Sequence, residues 1–257
     1  MPTADAVPAR PDPLFEVRDL TVRYGGVVAN DSVDLTISRG EVVGLIGPNG
    51  AGKTSLVDAV TGFTPSEGEV LLDGRRLDSL SPHRRRRAGL ARTWQAGELF
   101  ADLTVADNIA VATQRRGWRG LLADVLGRSA RVGTDPTLEM LGLADDTGRL
   151  PDQLSLGRQR LVGVARALAG DSSVVLLDEP AAGLDTDESE AFGEVVRTMA
   201  ATGRAVLLID HDMNLVLNVC DRVYVLDFGR VIACGPPDEI RSDAAVVAAY
   251  LGEEPAA

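Results

Sequence analysis

The chain has 257 residues, with Asp+Glu 38 against Lys+Arg 26 and a formal net charge of −12. Its length suits one large α/β domain or two small ones, and its 45% hydrophobic content excludes a disordered chain. The acidic balance speaks against broad, sequence-independent nucleic-acid binding, which draws on clustered positive charge, so no nucleic-acid partner is expected. All but one of the 26 basic residues are arginine; Lys53 is the exception. Arginine and lysine differ at a point-charge site, so this one position calls for a compact ammonium. The two cysteines, Cys220 and Cys234, make neither a disulfide framework nor a metal pattern and read as core or surface thiols. No apolar run approaches the ~20 residues of a membrane helix. Residues 1–13 carry four prolines and no hydrophobic stretch, so they read as a flexible tail and not a secretory signal.

In chain order, Leu14–Tyr24 alternates as a strand does, and Val33–Ile37 and Glu41–Ile46 predict two more, with Gly40 between them. A helix is predicted from Lys53 to Val60, ending at Thr61-Gly62. Glu69–Leu72 and Arg75–Leu77 flank Asp73-Gly74 as a tight hairpin. Thr104 is an N-cap for a helix through Gln114, and Gln114–Gly133 is irregular. Thr137–Leu143 and the amphipathic Gly157–Leu168 are helical. Val174–Leu177 and Ala205–Ile209 are continuous apolar runs, the pattern of strands buried on both faces. Asp187–Met199 is a helix, Val223–Leu226 and Arg230–Cys234 form a hairpin, and Ile240–Leu251 is a closing helix. The run Arg84–Arg87 reads as a solvated face. This order predicts an α/β fold with a parallel core and a helical insertion.

Gly47-Pro48-Asn49-Gly50-Ala51-Gly52-Lys53-Thr54 fits G-x-x-x-x-G-K-[ST] throughout. Glycines let backbone N–H groups approach phosphates, and the helix that follows presents its positive end to the anion. Lys53 then reaches the β and γ phosphates, and the Thr54 hydroxyl ligates Mg²⁺. Further on, the apolar strand from Val174 runs into Asp178 and Glu179. Asp178 at the strand end is placed to hold the Mg²⁺ shell. Glu179, expected on the other side of the pleat, would polarise a water for in-line attack on the γ-phosphate.

Together these motifs resemble the ATP-binding subunits of ABC transporters, over nearly all of the chain from Leu14 to Glu254. The resemblance implies a P-loop NTPase fold of the ABC type, with a parallel core sheet, an antiparallel β subdomain and an inserted helical subdomain at about 98–170 within an ATPase domain of 14–257. It implies ATP and Mg²⁺ as cofactors. It makes Tyr24 the aromatic that stacks on adenine, the loop from Gly47 to Thr54 with Ser55 the phosphate site, and Gln95 the glutamine that touches Mg²⁺ and couples to the membrane partner. Leu154-Ser155-Leu156-Gly157-Arg158-Gln159-Arg160 resembles the family signature, which in one subunit covers the γ-phosphate held by the other; Ser155, Gly157 and Arg158 are its nucleotide-facing positions. Leu156 stands where the usual signature has glycine, and Arg158 where it has glutamine. Ala182-Gly183-Leu184-Asp185 resembles the D-loop, and His211 the switch histidine that steadies the γ-phosphate.

Within that family, Arg92-Thr93-Trp94-Gln95, Glu179-Pro180-Ala181-Ala182-Gly183-Leu184, Asp210-His211-Asp212-Met213 and Ala249-Tyr250-Leu251-Gly252-Glu253 look like the branched-chain amino acid importers. The expected setting is therefore the cytoplasmic face of the membrane, as a peripheral protein. The implied partners are permease subunits and a second ATPase subunit, the same or different, with an external solute-binding protein acting indirectly. Importers of urea, amides or other amino acids, and lipid exporters, share the cassette. An ABC ATPase without a permease often carries a coiled-coil insertion or two phosphate loops, and this chain has one loop and no heptad run. A GTPase would need a second lysine for N-K-x-D, and there is none.

Overall fold

The computed structural model describes residues 13–93, 99–113 and 136–251. The expected tail, the segment 114–135 and Gln95 lie outside these residues.

β1 (Phe15–Tyr24) pairs antiparallel with β2 (Val27–Ile37) and with β4 (Glu67–Leu72), and β4 with the two-residue β5 (Arg75–Arg76), giving a four-stranded antiparallel sheet. The second sheet has six strands in the order β10 (Arg230–Gly235), β9 (Arg222–Asp227), β3 (Val42–Ile46), β8 (Ala205–Ile209), β7 (Val174–Asp178), β6 (Leu90–Arg92). All its pairings are parallel except β9 with β10. The antiparallel sheet, the parallel core and the helices between β6 and β7 are the architecture that the sequence predicts.

The central strands β3, β7 and β8 are buried along their whole length, and apolar up to Asp178 at the end of β7, because both faces are covered. Val43, Leu45, Val174 and Leu176 face a cluster shared with the antiparallel sheet and with α1 (Lys53–Thr61). Their neighbours Val42, Ile46, Val175 and Leu177 face a second cluster. That second cluster is closed by α3 (Val105–Thr113), α4 (Pro136–Met140), α5 (Leu156–Leu168), α6 (Thr186–Ala201) and α7 (Met213–Val219). The period-2 alternation thus divides each strand between two cores.

Several segments depart from the sequence reading. β2 begins at Val27, six residues early, and its irregular register with β1 around Val22 hides the alternation. The edge strand β6 was not expected; three residues are too few to show a period. The arginine run is a solvated face only in part, at the exposed Arg84 and Arg87. It forms α2 (Pro82–Ala88), in which Arg85 is buried. Arg85 donates to the carbonyls of Ala59 (2.9 Å), Val60 (2.8 Å), Asp78 (2.8 Å) and Leu80 (3.0 Å), capping the end of α1. Burial lowers its pKa from the ordinary arginine value. The closing helix is two, α8 (Pro237–Ser242) and α9 (Ala244–Leu251), because Asp243 leaves helical geometry and its carboxylate accepts the Ala245 (2.7 Å) and Val246 (3.1 Å) N–H groups. Cys220 and Cys234 are both free thiols, as expected, and burial raises both.

Candidate active site

β3, β8 and β7 are adjacent, with Leu45 opposite Ile209 and Ile209 opposite Asp178. Three segments therefore leave neighbouring parallel strands at their C-terminal ends: the loop after Ile46, Glu179 after Asp178, and Asp210-His211 after Ile209. Ligands of open α/β sheets bind at this edge.

The loop's backbone depends on glycine. Gly47 (φ 151°) has no room for a Cβ, which would fall 2.0 Å from the Leu226 carbonyl oxygen. Gly52 (φ 102°) precedes α1 in left-handed geometry, and a Cβ there would lie 2.4 Å from the Ala29 oxygen. The Asn30 amide donates to the Gly52 carbonyl at 3.2 Å, holding the loop against β2. The Lys53 ammonium donates to the carbonyls of Gly47 (2.5 Å) and Pro48 (3.0 Å), so the cation lies inside the curve of the loop. Asn49, Gly50 and Thr54 are exposed at its mouth, with Ser55 one step further into α1.

Thr54 and Asp178 stand on the lining of one cavity of about 1060 Å³, walled mainly by α1, α2, β6 and α5; Lys53, Glu179 and His211 are not on that lining. Asp178 is 2% exposed. Its carboxylate accepts from the Arg92 guanidinium at 2.7 Å. Strand geometry stops at Asp178. Glu179 turns the chain at φ 47°, a conformation that costs a non-glycine residue energy and recurs at catalytic positions. Its side chain is therefore not aimed by the pleat alternation that the sequence suggested. The Glu179 N–H donates to the Ile209 carbonyl at 2.8 Å. Asp210, 1% exposed, accepts the Ala181 N–H (3.2 Å) on one oxygen and the Asp212 N–H (3.0 Å) on the other, tying together the segments after β7 and β8. His211 is exposed, with Nδ1 3.5 Å from the Asp210 carboxylate.

The remaining expected residues stand further out. Tyr24 is half exposed, its hydroxyl 3.4 Å from that of Thr64. Ser155 caps α5, accepting the Arg158 N–H at 3.3 Å. A Cβ at Gly183 would lie 3.0 Å from the Leu156 side chain, and Arg160 donates to the Ala182 carbonyl at 3.1 Å. The Arg158 guanidinium turns back to Asp146 and to the Gly142 carbonyl (2.7 Å). Asn30, Asp58 and Asp210 around the site were not singled out as site residues; each is one polar residue with no partner visible in sequence.

The described residues include no group of three or more His, Cys, Asp or Glu that could hold a metal. One hydroxyl and one carboxylate suit Mg²⁺ nonetheless, because this hard ion is commonly held by one or two protein oxygens plus phosphate oxygens and water.

Residues 30–182 match the family model described as ABC transporter. The chain belongs to the ABC transporter family. The cassette also matches, over residues 230–256, the model described as branched-chain amino acid ATP-binding cassette transporter. It is 38% identical over 251 residues, 94% of this chain and 98% of the relative, to the high-affinity branched-chain amino acid transport ATP-binding protein LivG of Salmonella typhimurium. It is 36% identical, with the same coverage, to BraF of Pseudomonas aeruginosa, named for the same transport. Among solved structures, a nucleotide-free ATP-binding cassette from an ABC transporter superposes with TM-score 0.81 at 28% identity, covering 94% of this chain and 100% of that one. The ADP conformation of the cassette MJ1267 gives 0.79 at 28% identity, covering 94% and 99%.

Proposed function

We propose that this chain is the ATP-hydrolysing subunit of an importer for branched-chain or chemically related amino acids. The observation that carries the reading is the convergence of the Lys53 loop, Asp178-Glu179 and His211 on the ends of three adjacent parallel strands. The match of the C-terminal segment and the names of the relatives support the solute class.

In this reading the backbone from Gly47 to Gly52 and the Lys53 ammonium hold the phosphates, Ser55 adds a hydroxyl, and Tyr24 stacks on adenine. Thr54, Asp178 and Gln95 would hold Mg²⁺, which would offset the charge of the phosphates. Glu179 orients the attacking water and His211 steadies the γ-phosphate. Phosphoryl transfer needs little beyond positioning and charge stabilisation, which these fixed groups supply. A second ATPase subunit, alike or different, presents Ser155, Gly157 and Arg158 at the start of its α5. The helical unit of about 98–170, set between β6 and β7, bears that surface.

Family membership brings a membrane permease as partner. The peripheral position on the cytoplasmic face and an indirect role for an external binding protein complete the proposal; among the described residues no helix is long and apolar enough to cross a membrane. The test is reconstitution with its permeases and binding protein in proteoliposomes. Leucine, isoleucine or valine is expected to stimulate ATP hydrolysis severalfold. Stimulation by none of these three or of their apolar amino-acid relatives, but by a solute of another class, would reject the assigned solute class.

A further inference from the structure

The end of β6 grips the end of β7 twice. Thr93 donates its N–H to the Leu176 carbonyl at 2.9 Å, and its hydroxyl accepts the Asp178 N–H at 3.1 Å. Beside it, the Arg92 guanidinium reaches Asp178 with one nitrogen (2.7 Å) and Asp58 of α1 with the other (2.5 Å). The Arg92 side chain is only 8% exposed. Two carboxylates and one guanidinium thus share one wall of the cavity that Thr54 also lines; these three carry one net negative charge, while Arg85, Arg86, Arg160 and Arg166 stand elsewhere on its lining.

That balance has a consequence for cations. Two unpaired carboxylates at this wall would attract a divalent ion without any nucleotide. The planar fork of arginine satisfies both acids from one fixed position, which a lysine ammonium does not reproduce. We propose that Arg92 is a positioning residue for Asp178: it fixes the carboxylate through one oxygen and holds the local charge low enough that the site takes a divalent cation only together with nucleotide phosphates. This rests on the reading of Asp178 as the metal-holding carboxylate.

The experiment is Mn²⁺ titration of the full chain followed by electron paramagnetic resonance, without nucleotide and with the non-hydrolysable analogue adenylyl imidodiphosphate. Arg92→Gln is expected to tighten nucleotide-free Mn²⁺ binding at least about tenfold, since a positive charge leaves the wall. Arg92→Lys, which keeps the charge, stays near the parent affinity. A residue that only supported the fold would weaken binding when removed, so the sign separates the two roles. If Arg92→Gln does not fold, Asp58→Asn takes its place: the wall becomes neutral, and Mn²⁺ affinity in the analogue complex falls about tenfold. Unchanged or weaker nucleotide-free binding in folded Arg92→Gln overturns the proposal, as does an unchanged affinity in Asp58→Asn where that variant stands in. Asp178→Asn distinguishes the two levels. If it leaves Mn²⁺ affinity in the analogue complex unchanged, the metal-site reading itself fails; if it weakens that affinity while Arg92→Gln changes nothing, only the role of Arg92 does.

Discussion

Arg158, the arginine that stands where the usual signature has glutamine, forms an ion pair with Asp146, a buried carboxylate that also pairs with Arg149 at 3.1 Å. The side chain is thereby drawn into its own helical layer, while the Arg158 backbone N–H stays at the capped start of α5. The substitution of glutamine by arginine thus comes with a partner inside the same chain.

Arg158→Gln is accordingly expected to loosen the helical layer more than the chemistry. Asp146 keeps Arg149, so the loss is about 1 kcal/mol. In a chain of this size that lowers the melting temperature by about 2–4 °C. Turnover in the assembled transporter should stay within about threefold, less than 1 kcal/mol in barrier. Calorimetry and a phosphate-release assay on the same preparation check both; a large loss of turnover without a change in melting would give the guanidinium a direct role at the nucleotide.

Arg85 makes a sharper prediction about stability. Its guanidinium meets four carbonyl oxygens in a buried setting. Arg85→Ala removes every one of those donors and is expected to cost about 3 kcal/mol. Arg85→Lys recovers only part, because an ammonium cannot match the spread of the fork. Thermal unfolding should show a fall on the order of 10 °C for the alanine variant.

For the chemistry, Glu179→Gln should leave MgATP binding nearly intact and slow hydrolysis about 10²–10⁴-fold, the usual worth of a positioned base. Single-turnover hydrolysis beside a nucleotide-binding measurement separates the two effects. Undiminished hydrolysis would remove Glu179 from the mechanism.

How far the sequence reaches is seen in the same residues. The strands Val42–Ile46, Val174–Asp178 and Ala205–Ile209 are legible because burial on both faces leaves an unbroken apolar run. The phosphate loop is legible because its glycines and its lysine stand at fixed spacing. The buried role of Arg85 is not, since four arginines in a row give no clue to which one turns inward. α7 is also missed: seven residues are too short for a helical period, although Asp212 caps it by accepting the Asn214 (2.9 Å) and Leu215 (3.3 Å) N–H groups. The link between Arg92, Asp58 and Asp178 spans 120 residues of sequence positions, from 58 to 178, and only the sheet order brings them together.

In the proposed function Lys53 grips a triphosphate, and calorimetric titration of the full chain with MgATP measures that grip. The parent chain is expected to bind, and Lys53→Ala to lose at least about tenfold in affinity, the order of one charge-assisted contact to phosphate. Equal affinity of the two proteins, or no binding by a folded parent chain, would contradict it.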